Sequence, residues 1–463
     1  MSRVPRRIAT ALAGAAVLVL SACGGGGGGG DGDPQQITVW TGDTLPDRVA
    51  ATQAIVDRFT QQTGVRVELV GVDEDQFNQL LTSAAAAGEL PDVIGSQPLA
   101  AVRTLAANEL VDTDATAAVI EALGADTFDQ RALELTSDGD ARLAVPSDAW
   151  SQLLYYRTDL FAAAGLAPPT TYDEILAAAQ ALNQGGVSGF AGATAPGDAF
   201  TQQTFEHIAL ANGCELVDPE GAITINSPQC VAALQFYSDL TQGSGPPGAQ
   251  DVDTVRASYF AGQSAMAIWS TFLLDELAGL RNDALPSCPE CTADPRFLAQ
   301  NTGIVAAISG PDGEPAQFGE VSSWAIPVEA NAEAAQQFVQ FMVSDGYQDW
   351  LAIAPEGKYP VRQGSAPGGT EYVDAWEGLP IGVDSEAPTA EVYPQEVLDV
   401  LTSGPEAFTR WGITQGQGDL IGASLGELPV PEAVAAATTG GVAPQEAADQ
   451  AAATLQEIQD SLR

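Results

Sequence analysis

The chain has 463 residues, 45% of them hydrophobic, and this is enough for two or more domains with real cores. Its formal net charge of −44 at pH 7 argues against nucleic acid and anionic lipid surfaces as partners, because both are themselves negative. After Leu20, no stretch is long and apolar enough to predict a membrane-spanning helix.

The first 22 residues have the pattern of a secretory signal peptide. Three arginines precede an apolar stretch, 8–20, which is shorter than the about 20 residues that a bilayer-spanning helix needs. The sequence Leu20-Ser21-Ala22-Cys23 follows and resembles the lipobox of bacterial lipoproteins, whose cysteine receives a diacylglyceryl group before the chain is cut in front of it. Residues 23–35 are then a lipid anchor and a glycine-rich tether. An ordinary signal peptide with an unmodified cysteine is the alternative.

Strand and helix patterns alternate through the next segment of the chain. The predicted strands are 36–40, 65–70 and 91–96, and the predicted helices are 46–63, 75–88 and one that opens at Pro98. This alternation predicts an α/β fold with a parallel sheet covered by helices. Ligands bind beyond the carboxyl ends of such strands, and these ends carry polar or aromatic residues: Trp40, Asp43, Ser96 and Gln97.

The rest of the chain continues with mixed elements. A hairpin is predicted to turn at Asp138-Gly139 and to be followed by a strand and several helices. Two further strands are predicted near 302–310 and 320–328, and a helical pattern covers 331–353. From Pro360 onward the tail is predicted to be rich in loops until two helices near 430–437 and 444–462.

Four further cysteines form two sequence-local pairs. An even number of cysteines in an exported protein suggests disulfides, so we predict Cys214–Cys230 and Cys288–Cys291. The second pair lies in the sequence CPEC, for which a redox motif or half of a zinc site stays open. A zinc site needs about four ligands, however, and the sequence has one histidine and no second CxxC.

Four stretches of the chain resemble a known family. They are LYYRTDLFAAAGLAPPTTYDEILAAAQAL, YFAGQSAMAIW, SSWAIPVEANAEAAQQFVQFMVS and GVAPQEAADQAAATLQEIQ. In this order they resemble the extracellular solute-binding proteins of ABC importers, in the sugar-binding group that includes maltose-binding protein. Each stretch alone is a weak motif, and their order and spacing are what make the resemblance specific.

The resemblance implies a two-lobe fold of the periplasmic-binding-protein kind, type II. Each lobe is expected to be a mostly parallel sheet flanked by helices. A multi-crossing hinge would join the lobes near 145–148, 304–310 and 350–360, and closure around a ligand would be a hinge motion. The expected bounds are 36–145 with 308–350 for lobe 1, and 146–307 with 351–463 for lobe 2.

The same resemblance, together with the strand ends, gives a set of expected ligand contacts. Sugars present flat C–H faces to aromatic rings and hydroxyl groups to carboxylates and amides. The predicted contact residues are Trp40, Asp43, Ser96, Gln97, Asp148, Trp150, Trp269, Ser270, Ser323, Trp324 and Trp411. Trp350 lies on an apolar helical face and is predicted to be a core residue.

The predicted function is capture of a neutral sugar or oligosaccharide and its delivery to the permease subunits of an ABC importer. The protein would be a monomer without cofactor or metal, held at the outer face of the cell membrane by its lipid. The single histidine, His207, lies in a helical pattern. The sequence contains no nucleophile–base motif of the kind that would predict an enzyme. Two alternatives stay open: the same fold binding a polyamine, opine or peptide, and a secreted carbohydrate-active hydrolase.

Overall fold

The structure, a computed structural model, describes residues 36–462. The predicted signal peptide, Cys23 and the tether at 24–35 lie outside the described residues. Residues 36–157 contain β1 (Gln36–Thr41), α1 (Pro46–Thr63), β2 (Arg66–Gly71), α2 (Glu74–Ala87), β3 (Val93–Gln97), α3 (Leu99–Ala107), α4 (Thr113–Leu123), α5 (Gln130–Leu135), β4 (Ser137–Asp138), β5 (Ala141–Arg142) and β6 (Val145–Arg157).

The remaining elements follow in chain order. Residues 158–325 contain α6 (Thr158–Ala164), α7 (Tyr172–Leu182), α8 (Ala199–Leu210), α9 (Pro228–Ser244), α10 (Val252–Phe260), β7 (Met266–Ser270), α11 (Leu273–Leu277), α12 (Phe297–Gln300), β8 (Thr302–Val305) and β9 (Gln317–Ala325). Residues 326–462 contain α13 (Ala332–Met342), α14 (Tyr347–Leu351), β10 (Tyr359–Pro360), α15 (Glu371–Trp376), β11 (Pro380–Ile381), β12 (Ala387–Pro388), α16 (Thr389–Val392), α17 (Gln395–Leu401), β13 (Phe408–Thr409), α18 (Gly418–Ser424), α19 (Pro429–Thr438) and α20 (Pro444–Ser461).

The first strands and helices form as the sequence predicts. Helix α1 starts at Pro46, whose missing N–H is no loss at a helix start, and ends at Gly64, which has a φ of 79°. Its buried face is formed by Ile55, Val56 and Phe59. Strand β1 pairs in parallel with β2 on one side and β3 on the other. The carboxyl ends of β1 and β3 therefore lie side by side.

Two long strands, β6 and β9, connect this first sheet to a second group of strands. The start of β6 and the end of β9 pair with each other, and β9 also pairs with β3. The far end of β6 instead pairs with β7 and β8, and the start of β9 pairs with β13. Strand β10 joins β6 at Asp148 and Ala149, where the two parts meet. The sheet order along its main path is β10-β6-β9-β3-β1-β2.

The structure corrects two details of the expected architecture. The pairs that β6 makes with β7, β8, β9 and β10 are all antiparallel, so the second lobe is not mostly parallel. The second strand shared by both parts is β9, whereas the segment 304–310 begins inside β8, which pairs with β6. Ile308 and Phe318 pack in one buried cluster with residues such as Phe161 and Trp411.

The tail also differs from its prediction. Four short helices, α15 to α18, occupy residues that the sequence predicts to be rich in loops. Apolar side chains of α15 to α17, among them Trp376 and Val397, are buried in the same core as Leu273, and those of α18 are buried in the cluster that contains Trp411. Helices of four to seven residues have little stability of their own, and packing of this kind stabilises them.

Both predicted cysteine pairs are close together in the structure. The sulfur atoms of Cys214 and Cys230 are 2.07 Å apart, and those of Cys288 and Cys291 are 1.96 Å apart. The first pair ties α9 to the segment after α8, and the second closes the loop that precedes α12. Across residues 36–462, none of the helices has both the length and the apolar character that crossing a membrane requires.

Candidate ligand-binding site

Two of the predicted contact residues meet where β1 and β3 end. The Ser96 hydroxyl donates a hydrogen bond to Oδ2 of Asp43 over 3.1 Å. Ser96 has a φ of 55°, in the left-handed region that side chains other than glycine rarely adopt. Gly42 makes the close approach possible, because a Cβ there would lie 2.7 Å from the Ser96 carbonyl oxygen. The two strand ends therefore form one compact polar rim.

Asp43 lies at the centre of what we call the charged cluster: Asp43, Arg48, Asp148 and Lys358. Lys358 donates to Oδ2 of Asp43 over 3.0 Å, and Arg48 donates to Oδ1 over 3.3 Å. Burial by itself raises the pKa of Asp43. The nearby charges of Lys358 and Arg48 outweigh this effect and lower the pKa from its usual value to about 2. Asp43 is therefore a carboxylate at neutral pH, with both oxygens already occupied by partners.

Asp148 completes the charged cluster from near the start of β6. It is fully buried, and its Oδ1 accepts hydrogen bonds from the Trp350 indole at 2.6 Å and the Ser147 hydroxyl at 2.7 Å. Its Oδ2 lies 3.9 Å from Nζ of Lys358 and has no hydrogen-bond partner among the described residues. Lys358 also lies over the Trp350 ring, 3.8 Å from its centroid. The cation thus joins Asp43 to Asp148.

A pocket with aromatic walls lies beside the charged cluster, and we call it the inner pocket. It has a volume of about 20 Å³, room for about one water molecule. Trp150 is partly exposed, and its ring centroid lies 6.1 Å from that of Phe272 and 5.9 Å from that of Phe318. The residues that line the pocket with Trp150 include Ser151, Thr271, Gln317, Glu356, Tyr359 and Trp376. The pocket thus combines ring faces with hydroxyl, amide and carboxyl groups.

Glu356 contributes a buried carboxyl group to this pocket. It belongs to a 3₁₀ turn, Pro355–Gly357, and its Oε2 has no hydrogen-bond partner within residues 36–462. Burial raises the pKa of Glu356 and that of Asp275, and the Glu356 carboxyl raises the pKa of Asp275 further. Gly357 must be a glycine, because a Cβ there would lie 2.0 Å from the ring of Phe272.

Three contacts connect the first lobe to the second across this site. The Arg48 guanidinium lies 4.7 Å from the ring centroid of Phe272. Arg281, which follows α11, lies 3.5 Å from Asp47 at the start of α1. The third contact is that of Lys358 with Asp43. Residues at the end of β1 and the start of α1 therefore contact residues that follow β7, α11 and α14. These contacts bring charged groups and aromatic rings together at the site.

Several predicted contact residues lie in the core instead. Trp324 is fully buried, with its ring 5.0 Å from that of Trp350 and 5.8 Å from that of Phe338. Trp411 is 1% exposed and donates from its indole to the Cys214 carbonyl oxygen over 2.7 Å. Ser323 is fully buried in β9. We therefore do not keep Trp324, Trp411 and Ser323 as contact residues, because neighbouring side chains and strands already cover them.

The remaining predicted residues have intermediate positions. Trp269 is 8% exposed, packs against Phe200, and donates to the Val252 carbonyl oxygen over 3.2 Å. It is therefore held by the second lobe's core, as is Ser270, which is buried at the end of β7. Gln97 is buried and donates to the Gly95 carbonyl oxygen, next to Ser96. Trp40 is half-buried at the end of β1.

The sequence analysis missed the residues that complete the site. They are Arg48, Phe272, Glu356, Lys358, Tyr359 and Trp376. A signal for two of them was present: Lys358 is the only lysine in the chain and stands in the predicted crossing 350–360, and Phe272 lies just beyond the predicted contact residues Trp269 and Ser270. No sequence signal indicated Trp376, which lies in the tail that was predicted to be rich in loops.

Two lobes that share long strands, with a polar and aromatic site where they meet, are the arrangement of a binding protein. Residues 42–349 match the family described as bacterial extracellular solute-binding protein, and the chain belongs to this family. The family is one of solute-binding proteins and not of enzymes.

Individual relatives agree with this assignment. The chain is 29% identical over 384 residues to YcjN of Escherichia coli (strain K12), described as an ABC transporter periplasmic-binding protein, with 80% of this chain and 83% of YcjN covered. Its structure is similar to maltose-bound MalE3 of T. maritima, with a TM-score of 0.68 and 20% identity over 91% of this chain and 99% of MalE3. It is also similar to a sugar transporter from Arthrobacter chlorophenolicus A6 with bound laminaribiose, with a TM-score of 0.70 and 18% identity over 91% and 99% of the two chains. These likenesses show the same two-lobe fold.

Proposed function

We propose that this protein captures a neutral sugar or oligosaccharide between its lobes and delivers it to an ABC importer. The observation that carries the proposal is the lining of the inner pocket, where the rings of Trp150, Tyr359 and Trp376 lie beside hydroxyl, amide and carboxyl groups. Rings of this kind stack on sugar C–H faces, while polar groups at their edge accept and donate hydrogen bonds to hydroxyls. At about 20 Å³ the pocket holds about one water molecule, so the lobes have to move apart before a sugar can enter.

The charged cluster supports a neutral rather than a charged ligand. Asp43 is already paired with two cations and a hydroxyl, and Asp148 is paired with Trp350 and lies near Lys358. A ligand with a strong charge would have to compete with these internal partners. Two of the similar solved structures hold maltose and laminaribiose, which are neutral sugars. The site uses no cofactor and performs no chemistry on its ligand.

The proposed setting is the outer face of the cell membrane. A diacylglyceryl group on Cys23 would hold the protein there, and the tether 24–35 would let the folded part reach the permease subunits. We propose that the protein acts there as a monomer. The proposed lobes are residues 36–145 with 308–350, and residues 146–307 with 351–463, with β9 as the second crossing.

A ligand screen tests the proposal directly. Purified protein is titrated by calorimetry with a panel of mono- to tetrasaccharides, polyamines, opines and short peptides, and small-angle scattering is recorded with and without the best ligand. We expect a saccharide to bind with micromolar affinity or better, which corresponds to about 8 kcal/mol. We also expect the sugar to be recovered uncleaved.

The outcomes separate the proposal from its alternatives. If a polyamine, opine or peptide bound and no saccharide did, the fold assignment would stand and the proposed sugar ligand would be wrong. Cleavage of an oligosaccharide would identify a hydrolase. A loss of compactness on binding would contradict closure of the lobes around the ligand.

A further inference from the structure

We propose that Lys358 exchanges its carboxylate partner when the lobes move: it bonds Asp43 in the arrangement of this structure and Asp148 when the lobes are apart. This inference assigns Asp148 as a positioning residue that acts through Lys358 and sets the balance between the two arrangements. It concerns the hinge, so it holds whatever the chemical class of the ligand is.

Lys358 lies between two carboxylates and is hydrogen-bonded to only one of them. Its Nζ is 3.0 Å from Oδ2 of Asp43 and 3.9 Å from Oδ2 of Asp148. A hydrogen bond between an ammonium group and a carboxylate is about 2.7 to 2.9 Å long, so Nζ has to move about 1 Å to bond Asp148. The lysine is therefore one short displacement away from a second partner.

Asp148 is prepared for a donor that it does not have in this arrangement. The residue is fully buried, and Ser147 and Trp350 both donate to its Oδ1. Its Oδ2 has no hydrogen-bond partner among residues 36–462. A buried carboxylate oxygen without a donor is costly. An ammonium group that reaches Oδ2 when the lobes are apart would offset this cost.

The strand pairing decides which of the two distances a hinge motion changes. Lys358 directly precedes β10, and β10 pairs with β6 through Pro360 and Asp148. Asp43 instead follows β1, whose pairs are with β2 and β3 of the first lobe. A rotation of the lobes about the shared strands therefore moves Asp43 relative to β10, while Lys358 and Asp148 stay on neighbouring strands.

Asp43 does not depend on Lys358 alone. Arg48 donates to its Oδ1 over 3.3 Å and Ser96 donates to its Oδ2 over 3.1 Å, and both residues belong to the first lobe. When Lys358 leaves, Asp43 keeps these two partners. Lys358 in turn would be a buried cation without a carboxylate, which opposes opening, unless Asp148 accepts it.

The Trp350 ring connects the two positions of the lysine. Nζ of Lys358 lies 3.8 Å from the centroid of this ring, and the indole N–H of the same tryptophan donates to Oδ1 of Asp148 over 2.6 Å. The ammonium group can therefore move from Asp43 to Asp148 while it stays over a ring face. One cation, two carboxylates and a shared ring thus form a two-state element.

The test measures the distance between the lobes in ligand-free protein. Spin labels are attached to Gln61→Cys in α1 and Ala163→Cys in α6, two exposed positions in different lobes, and double electron–electron resonance gives the distance distribution. Cys23→Ser in the same chain restricts the labels to the two introduced thiols, since the other four cysteines are paired. The variants Asp43→Asn, Asp148→Asn and their combination each remove charge at nearly constant size.

Asp43→Asn and Asp148→Asn should have opposite effects. We expect Asp43→Asn to raise the ratio of the longer to the shorter distance at least about fivefold, because Asp148 is then the lysine's charged partner. Asp148→Asn should lower that ratio, both in the wild-type chain and in Asp43→Asn. Asp129→Asn is the matched control and should leave the ratio unchanged, because Asp129 is as buried as Asp43 and caps α5, a role that asparagine also fills.

Lys358 provides a second readout that does not need Asp148→Asn to fold. It is the only lysine in the chain, so labelling with ¹⁵N-lysine gives one side-chain ammonium group to observe by NMR. In Asp43→Asn the ammonium protons should stay protected from exchange with water, because Asp148 holds them. Fast exchange of these protons in a folded Asp43→Asn protein would overturn the inference.

The interlobe distances give two further results that would refute it, with circular dichroism confirming that each variant is folded. A ratio that Asp148→Asn lowers in neither background would show that Asp148 has no part in the balance. A ratio that Asp43→Asn leaves unchanged would show that the lysine does not hold the lobes together. Neither result bears on the proposed function, which the ligand screen tests separately.

Discussion

Lys358 and Asp43 form an ion pair of 3.0 Å between residues that are 315 positions apart in the chain. Lys358 is 1% exposed and Asp43 is 7% exposed, so the pair is shielded from water. The pair joins the end of β1 to the segment before β10, and the Trp350 ring and Asp148 lie next to the same ammonium group. One buried cation, Lys358, therefore contacts both acidic residues of the charged cluster.

Loss of this cation should destabilise the protein. Lys358→Met leaves the Asp43 carboxylate buried with fewer partners, and we expect the free energy of unfolding to fall by about 3 to 5 kcal/mol. Urea denaturation at pH 7 measures this change. The double variant Lys358→Met/Asp43→Asn removes both charges and should recover part of the loss. A Lys358→Met protein as stable as wild type would show that the pair contributes little.

Stability should fall as the pH rises from 5 to 8, in part because of Glu356. Burial raises its pKa, so the folded protein still holds a proton there after the unfolded chain has lost it. A raised pKa contributes stability that is fully present below the unfolded pKa and is lost as the pH rises through the folded one. The Glu356→Gln variant has no ionisable group at this position. Between pH 5 and 8 its free energy of unfolding should therefore fall by about 1 to 2 kcal/mol less than that of the wild-type protein.

Urea denaturation of both proteins at several pH values measures this difference. The groups that face Glu356 include Arg48, Arg281, Lys358 and Asp275, and they are unchanged in the variant. Glu377→Gln, at an exposed position next to α15, is the matched control and should follow the wild-type curve. Parallel curves for Glu356→Gln and wild type would exclude a raised pKa at this residue.

Trp150 should contribute to ligand affinity more than to folding. Its ring is partly exposed and lines the inner pocket, so Trp150→Ala should weaken sugar binding about tenfold while the protein stays folded. Trp150→Phe keeps a ring and should lose less. Calorimetry gives the affinities, and circular dichroism confirms the fold. Trp269→Ala is the contrasting variant: its ring packs in the core, so it should cost about 3 to 5 kcal/mol of stability. Equal affinity of Trp150→Ala and wild type would place the ligand elsewhere.

The Cys214–Cys230 pair should be an oxidised disulfide that stabilises the second lobe. The two residues are separated by 16 positions, and closing a loop of about this length is worth roughly 3 kcal/mol in the chain-entropy model. Mass mapping of the non-reduced protein should find the two peptides linked. The variant Cys214→Ser/Cys230→Ser should unfold at lower urea concentration. Recovery of both cysteines as free thiols would refute the prediction.

Cys23 should be the membrane anchor. A protein that carries two acyl chains stays on the membrane, whereas one without them has no anchor of this kind. Cys23→Ser should therefore move the protein from the membrane fraction to the soluble fraction when it is expressed in its own host. Fractionation followed by immunoblotting measures this. A Cys23→Ser protein that still sediments with membranes would contradict lipid anchoring at this residue.

Local signals in the sequence determined a large part of the fold. Pro46 and Gly64 bound α1 because proline suits a helix start and a glycine can adopt the positive φ at its end. The alternation of strands and helices predicted the parallel pairs of β1 with β2 and β3. The carboxyl-end rule then brought Asp43 and Ser96 together correctly, since parallel neighbours end at the same edge. The four family-like stretches predicted membership in the family that matches residues 42–349.

Only the tertiary structure decided which aromatic and charged residues form the site. Trp324 and Trp150 are both tryptophans that the sequence predicts to contact the ligand, yet Trp324 is buried against Trp350 and Trp150 lines a pocket. The chain pattern does not distinguish them, because burial depends on which elements pack on each strand face. The pairing of Lys358 with Asp43, and the short helices that bring Trp376 to the pocket, arise from contacts between residues far apart in the sequence. Such contacts leave no local pattern, since their stability comes from packing and charge pairing in the folded protein.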